Sequence, residues 1–206
     1  MNRVINFMGS GKMDILAMEK KLEGMLTPKR YRHSIGVMET AVEMAEIFGV
    51  DVEKARLAGL LHDCAKDIDK DEMLRLCREM NIPLDPVKRE QRSLIHADLG
   101  AKMLETEFGI TDPDIISAVQ YHTLGRENMT DLEKILYLAD CIEPNRSHYE
   151  GLDDLRQLAR TNLDCAMLAA IERSIDYVLH RHRKLHSQTL VTQQYFLKLC
   201  KEKMTV

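Results

Sequence analysis

The chain has 206 residues, of which 45% are apolar and 30% are charged, so it is long enough for one domain with an ordinary hydrophobic core. Its net charge of −4 argues against broad nucleic-acid binding, although it leaves room for a small basic pocket that binds one phosphorylated ligand. No stretch is long and apolar enough to span a membrane, and the N-terminus lacks the pattern of a signal peptide. We therefore expect neither a nucleic-acid partner nor a membrane partner.

The composition also favours helix. Glycine and proline are few, at 10 and 5 residues, while strong helix formers are abundant. No segment alternates apolar and polar residues with the period of a strand, so we expect an all-α fold without a sheet. Residues 1–12 are interpreted as a loose N-terminus and residues 13–206 as a single domain.

Local signals predict where the helices start. Thr27 can cap a helix that begins at Pro28, and Asp51 can cap the next one. Thr130 and Glu133 match a capping box in front of a later apolar helix. In chain order, the predicted helices span about 14–25, 28–48, 52–63, 71–80, 93–107, 113–121, 131–142, 161–181 and 190–203.

The cysteines bear on the location of the protein. There are five of them, dispersed and without any CxxC pair: Cys64, Cys77, Cys141, Cys165 and Cys200. An odd and scattered set is typical of buried, reduced thiols. Because disulfides are rare in the cytosol, the sequence predicts free cysteines in a cytoplasmic protein.

The dipeptide His62-Asp63 is the most informative feature, because four more potential metal ligands accompany it along the chain: His33, His96, His122 and Asp140. A single histidine on an apolar helix is more often a hydrogen-bonded core residue. Asp63 and Asp140, however, lie within apolar runs, where a carboxylate without a cation or donors is strongly unfavourable. Imidazole and carboxylate ligands suit divalent iron, manganese, zinc or cobalt. Six ligands are too many for one catalytic ion with an open position, so the set predicts two ions.

Five further residues are candidates for substrate binding. Lys66 follows the His-Asp pair, and Arg30 and Arg146 lie close in sequence to other ligands. Arginine and lysine both bind phosphate oxygens. Thr123 and Gly125 follow a ligand directly, where a hydroxyl and a backbone N–H can meet a phosphate. The alternative for each is a solvated surface charge or a turn residue.

Five motifs follow one another along the chain: R-Y-x-H from Arg30, A-x-L-L-H-D-x-A-K from Ala58, H-A-x-L-G-A from His96, H-T-x-G from His122 and Y-L-A-D-x-I-E-P-x-R from Tyr137. The His-Asp pair alone has little specificity, whereas the five motifs in this order are highly specific. From about residue 30 to the final helix, the chain resembles the HD-domain metal-dependent phosphohydrolases. Within them it is most similar to the YqeK-type symmetrical bis(5′-nucleosyl)-tetraphosphatases.

The resemblance implies a single-domain helical fold with a dinuclear metal site, most often of iron, between the helices. It assigns His33, His62, Asp63 and Asp140 to one ion, and Asp63, as a bridge, with His96 and His122 to the second. Such enzymes use a bridging hydroxide to cut diadenosine tetraphosphate at its centre into two ADP. Asp63 and Lys66 are then the expected catalytic residues.

Two other functions stay open. One is a nucleotidase or cyclic-nucleotide phosphodiesterase on the same scaffold, and the other is a non-catalytic HD module that binds a nucleotide. The sequence does not decide the physiological metal, the preferred nucleobase or the oligomeric state. It also leaves open the roles of four histidines: His148, His180, His182 and His186.

Overall fold

Helices make up all the regular structure between residues 14 and 204, which are the residues that the computed structural model describes. No strand occurs in this part of the chain, so the predicted all-α class is confirmed. The helices are α1 (Ile15–Met25), α2 (Pro28–Phe48), α3 (Val52–Leu61), α4 (Lys70–Glu79), α5 (Pro86–Glu90), α6 (Ile95–Phe108), α7 (Pro113–Tyr121), α8 (Asp131–Ile142), α9 (Leu152–Ala159), α10 (Leu163–His180) and α11 (Ser187–Met204), with a 3₁₀ turn at Arg92–Leu94. The predicted loose N-terminus, residues 1–12, lies outside the described residues, and the boundaries of the domain stay a prediction.

The local signals explain most of the helix starts. The Asp51 side chain accepts hydrogen bonds from the first turn of α3, and Thr130 and Glu133 form the predicted capping box of α8. Thr27 does precede α2, but its hydroxyl makes no capping bond, so that part of the prediction is wrong. Its backbone N–H donates instead to the Asp67 carboxylate at 2.7 Å, which links the start of α2 to the turn after α3.

Two short helices were not predicted. α5 is little more than one turn, and in the sequence Pro83 and Pro86 favour a loop over this segment. α9 has eight residues and follows Gly151, whose φ of +75° lies in the left-handed region where glycine is favoured. Short segments offer too few turns for a helical period to be recognised.

The core is arranged around α2, α3 and α8. α2 packs along both α3 and α8, and α7 lies against α3, α6 and α8. Gly59 of α3 approaches α2 so closely that a Cβ atom at this position would lie 2.7 Å from Met38 Cα. The contact therefore requires glycine, and it brings the C-terminal end of α3, with His62 and Asp63, next to α2.

The C-terminal helices α10 and α11 pack against each other. A disulfide joins Cys165 of α10 to Cys200 of α11, so the prediction of reduced thiols is wrong for this pair. Cys64 and Cys77 are buried and free, as predicted, whereas Cys141 is free but only half-buried. The cytoplasmic location stays a prediction. Across residues 14–204, no helix has the length and apolarity needed to cross a membrane.

Candidate metal centre

All six predicted metal ligands meet at one place, and we call them the ligand cluster. They are His33 of α2, His62 and Asp63 at the C-terminal end of α3, His96 in the first turn of α6, His122 at the end of α7 and Asp140 in the last turn of α8. His62, Asp63, His96 and His122 are each no more than 2% exposed. The cluster is thus built from residues near the ends of five helices, and four of the six are buried.

The first group of ligands comprises His33, His62 and Asp140, together with one oxygen of Asp63. Asp140 Oδ1 lies 3.0 Å from His33 Nε2 and 3.9 Å from His62 Nε2. Asp63 Oδ2 lies 3.7 Å from His62 Nε2. Ligand atoms of His33, His62 and Asp63 all lie within 4.8 Å of one another, which is close enough to surround one ion.

The second group comprises His96 and His122, together with the other oxygen of Asp63. Asp63 Oδ1 lies 3.2 Å from His96 Nε2 and 3.7 Å from His122 Nε2, and the two Nε2 atoms are 3.1 Å apart. Each of these residues also offers a ligand atom within 4.8 Å of the others. Because its two oxygens face different groups, Asp63 is positioned as a bridging carboxylate would be.

Several of the ligand atoms lack hydrogen-bond partners although they are buried. His33 Nε2, His62 Nε2 and Asp63 Oδ1 make no hydrogen bond of acceptable geometry. Buried polar atoms are usually paired, and an orphaned one is unfavourable. The orphaned atoms all face the interior of the cluster, and nitrogen and oxygen donors of this kind suit divalent transition metals. The ligand cluster therefore fits the ions that the sequence predicted.

Three of the histidines are oriented by the backbone. The Nδ1–H of each donates to the carbonyl three residues earlier: His62 to Gly59 at 2.8 Å, His96 to Ser93 at 2.6 Å and His122 to Val119 at 2.6 Å. These bonds place the proton on Nδ1 and leave the Nε2 lone pair directed into the cluster. A metal-binding histidine is commonly oriented by such a bond from its other nitrogen.

His33 is oriented by a side chain instead, that of Glu143. Its Nδ1 lies 3.1 Å from Glu143 Oε1, while Glu143 Oε2 accepts the Asn145 backbone N–H at 2.6 Å. Glu143 is only 1% exposed. A Cβ atom at Gly36 would overlap Glu143 Oε2, so this glycine makes room for the carboxylate. Glu143 belongs to the last of the five sequence motifs, where no role was predicted for it. The available signal was an acidic residue at the end of an apolar helix.

The pKa values favour the protonation states that bind metal. Burial acts to raise the pKa of Asp63, but the neighbouring charges of His62 and Lys66 outweigh it and hold this pKa well below its usual range. Burial lowers the pKa of His62 to about 4, and burial together with the charge of Lys66 lowers that of His96 to about 4. Near neutral pH these imidazoles are neutral and the carboxylate is charged, which is the form that metals require.

Three predicted cations contact the ligand cluster. Lys66 Nζ lies 2.8 Å from His96 Nε2 and 3.3 Å from Asp63 Oδ1, so it belongs to the second group. Arg146 lies at the first group, where its guanidinium pairs with the Asp140 carboxylate and its Nε donates to the Asp140 carbonyl at 2.7 Å. The guanidinium of Arg30 is 3.6 Å from the other oxygen of Asp63. Positive charge therefore borders both groups.

Residues 30–145 match the HD domain family, and this range includes all six residues of the ligand cluster. The match covers more than half of the chain. The chain belongs to the HD-domain family.

Known relatives of this HD domain agree with the match. This chain is 41% identical over 172 residues to the symmetrical bis(5′-nucleosyl)-tetraphosphatase of Halalkalibacterium halodurans. The alignment covers 84% of this chain and 91% of that protein. The chain is 39% identical, with the same coverage, to the protein of that name from Bacillus subtilis. A crystal structure from Clostridium acetobutylicum, described as an HD superfamily hydrolase involved in NAD metabolism, is 37% identical, with a TM-score of 0.88 over 91% of this chain and 99% of that one. The expected family and fold are confirmed.

Two further predicted contacts of the HD domain have different outcomes. The Thr123 hydroxyl lies 3.3 Å from His122 Nε2 and 3.4 Å from His96 Nε2, at the second group. The N–H of Gly125, in contrast, donates to the Tyr121 carbonyl at 2.9 Å and is not available to a phosphate. Gly125 instead ends the turn at a φ of +64°, and a Cβ atom there would meet Thr192 of α11 at 2.6 Å. The phosphate contact predicted for Gly125 is therefore not supported.

The four histidines without an assigned role lie outside the ligand cluster. His148 is exposed and 3.9 Å from Asp153. His186 Nε2 is 2.9 Å from Asp85 Oδ2, a contact that ties the start of α11 to the start of α5. His180 bonds to a backbone carbonyl of its own helix, and His182 is an exposed residue with a φ of 51°.

Proposed function

We propose that this HD domain hydrolyses diadenosine tetraphosphate at its central anhydride bond and releases two ADP. The relatives named symmetrical bis(5′-nucleosyl)-tetraphosphatase support the choice of substrate and of bond. The structural observation that carries the proposal is the position of Asp63, whose Oδ2 faces His62 while its Oδ1 faces His96 and His122. Two ion sites that share one carboxylate are typical of enzymes that displace phosphate esters and anhydrides.

The proposed cofactors are two divalent metal ions, with iron as the first choice and manganese, cobalt or zinc as alternatives. The first ion would be held by His33, His62, Asp63 and Asp140, and the second by Asp63, His96 and His122. When bound, such ions lower the pKa of a water molecule and offset charge on the phosphate. The nitrogen and oxygen donors of the cluster suit all four metals.

Lys66 is the proposed catalytic cation. Its ammonium now donates to the His96 Nε2 lone pair, which a metal ion would also need. Because one lone pair cannot serve both, Lys66 would release His96 in the loaded enzyme and turn toward the phosphate. There it would stabilise the negative charge that develops during hydrolysis. Asp63 would contribute to catalysis by holding both ions.

The remaining predicted contacts would position the phosphate chain. Arg146 and Arg30 lie on the side of the first group, where guanidinium groups can bind two phosphate oxygens at once. Thr123 offers a hydroxyl on the side of the second group. The partner of the protein is thus a small dinucleoside polyphosphate.

The test is product analysis. The protein is reconstituted without oxygen with Fe²⁺, Mn²⁺ or Co²⁺, incubated with diadenosine tetraphosphate in heavy-oxygen water and analysed by chromatography and mass spectrometry. We expect ADP as the dominant product, with heavy oxygen in its terminal phosphate, and no reaction from Asp63→Ala. Equal amounts of AMP and ATP would contradict the proposed bond. Rapid hydrolysis of a cyclic nucleotide, with no turnover of the tetraphosphate, would favour the phosphodiesterase alternative.

A further inference from the structure

A cavity of about 610 Å³ opens beside the first group of ligands. It reaches the ligand cluster at His33 and is bordered by the start of α2 and the loop after α8. The side chains that matter here are those of Thr27, Lys29, Arg30, Arg32, Arg146 and Ser147. We call it the basic cavity. Its volume lies within the range of about 300–1,000 Å³ that is common for small-ligand sites.

The charge of the basic cavity is opposite to that of the whole chain. Four cationic side chains line it, although the net charge of the protein is −4. Arg30 and Arg146 reach back to the aspartates of the ligand cluster. Lys29 and Arg32 are exposed, and neither forms an ion pair with any residue between 14 and 204. Two cations are therefore available to a ligand at the outer part of the cavity.

The one carboxylate among the described lining residues is buried and has hydrogen-bond partners for both of its oxygens. Glu143 is 1% exposed, and both of its oxygens are engaged, one with His33 and one with the backbone of Asn145. The cavity thus presents cations, hydroxyls and an amide to its contents. Phosphate groups are the ligands that this combination recognises best.

The position of the basic cavity relates it to the two groups of ligands. The imidazole rings form a row, with centroids 5.3 Å apart from His33 to His62, 5.1 Å from His62 to His122 and 5.1 Å from His122 to His96. His33 and His96 are the two ends of this row. The cavity adjoins the His33 end, whereas Lys66 lies at the His96 end. A phosphate chain that crosses the row would therefore have one half in the cavity.

From these observations we infer that the basic cavity binds the nucleoside diphosphate that leaves when the central bond of the tetraphosphate is broken. The inference rests on the proposed function. In the reaction the oxygen of water bonds to the phosphorus at the ligand cluster, and the bond from that phosphorus to the central bridging oxygen breaks. The bridging oxygen keeps the electron pair and departs as part of the second ADP, and one proton of the water passes to solvent. Lys29 and Arg32 offset the charge of the departing diphosphate.

Lys29 and Arg32 thus gain a role in specificity, although their side chains form no hydrogen bond or ion pair with the ligand cluster. A substrate with a complete second half gains contacts with Lys29 and Arg32, whereas a shorter phosphate chain does not reach them. The cavity would thereby select dinucleoside tetraphosphates over mononucleotides. Each charge-assisted contact with phosphate stabilises a complex more than a neutral hydrogen bond does. Loss of the contacts of both Lys29 and Arg32 should therefore give measurably weaker binding.

The test uses the metal-loaded full chain and a tetraphosphate analogue with a methylene group in place of the central bridging oxygen. Isothermal titration gives its affinity for the wild type, for Lys29→Ala/Arg32→Ala, and for Arg78→Ala/Lys198→Ala as a control. The control removes the same charge from exposed positions on α4 and α11, outside the cavity. We expect the cavity variant to bind about tenfold or more weakly than the control, with a matching rise in KM for diadenosine tetraphosphate. The charge-preserving pair Lys29→Arg/Arg32→Lys should restore most of the affinity.

The outcomes separate this inference from the proposed function. If the wild type releases two ADP but the cavity variant matches the control in affinity and in KM, the basic cavity does not hold the leaving half and the function stands. A different result would be that the wild type binds the analogue and the cavity variant binds it more weakly, but the wild type does not cleave the tetraphosphate. The basic cavity would then be a binding site for the phosphate chain, and the proposed hydrolysis would be wrong. Circular dichroism and metal content, measured for every variant, show whether a loss of binding comes from misfolding.

Discussion

The two groups of the ligand cluster differ in how one of their histidines is supported. In the second group, His96 and His122 are oriented by carbonyls of their own polypeptide segment, three residues earlier. In the first group, His62 is oriented in the same way by the Gly59 carbonyl, but His33 is oriented by Glu143, which is 110 residues away in the sequence. The first group also contains the most accessible histidine, since the side chain of His33 is 12% exposed, whereas those of His62 and His96 are 0% and 1% exposed.

This difference shows in which group a single substitution can change how a ligand is oriented. Support from the backbone follows from helix geometry, so no single side-chain substitution removes it. Support from Glu143 depends on one side chain and on the space that Gly36 leaves for it. Metal binding by the first group, which adjoins the basic cavity, should therefore be more sensitive to a single side-chain substitution than metal binding by the second group.

Asp63→Ala should have the largest effect, because Asp63 is the one residue that both groups share. We expect the variant to lose both ions and all measurable hydrolysis, since each group would lose an oxygen ligand. His96→Ala, in contrast, should chiefly lose the second ion. Metal analysis after anaerobic reconstitution distinguishes them, against a wild type with close to two ions per chain. Full metal content in Asp63→Ala would show that the carboxylate is not a bridge.

Lys66→Ala should separate catalysis from metal binding in the second group. The variant should keep its ions, because Lys66 is not a ligand, but its kcat should fall on the order of 10²-fold or more if the ammonium stabilises developing charge. Lys70→Ala is the matched control, since Lys70 is an exposed lysine in the same turn region and does not contact the cluster. If Lys66→Ala had wild-type kinetics, Lys66 would be a surface charge without a role in catalysis.

Glu143→Ala should weaken the first group alone. Loss of the carboxylate that orients a metal-binding histidine typically lowers metal affinity about 10–100-fold. We expect that loss for one ion and an unchanged affinity for the other, measured by competition with a chelator. Glu143→Gln, which can still accept from His33, should fall between alanine and wild type, and the exposed Glu39→Ala on α2 serves as the control. Equal weakening of both ions would contradict the separate support of the two groups.

As the pH falls, the two groups should lose their metal ions one after the other. Little metal should be lost close to neutral pH. Burial acts to lower the pKa of His33, but its contact with Asp140 outweighs burial and raises this pKa, whereas burial lowers the pKa of His96 to about 4. Protons compete with a metal only below the pKa of the ligand, so His33 should lose its ion first as the pH falls. Metal content after equilibration between about pH 7.5 and about pH 4 should fall in two steps. Simultaneous loss of both ions would show that the groups do not titrate independently.

The sequence by itself predicted the long helices and the six residues of the ligand cluster, because the signals for both are local. The caps at Asp51 and Thr130 and the proline at the start of α2 act within a single turn. Asp63 and Asp140 could be recognised because a carboxylate inside an apolar run requires a partner wherever the chain folds.

Only the tertiary structure decided how the ligands are supported and what surrounds them. Nothing local pairs Glu143 with His33 or Cys165 with Cys200, and nothing local indicates that Thr192 covers Gly125. Lys29 and Arg32 look in sequence like any solvated charges, and they line a cavity only because the loop after α8 folds against the start of α2. Contacts of this kind depend on how helices pack across long separations, and the period and caps of a single helix carry no information about its partners.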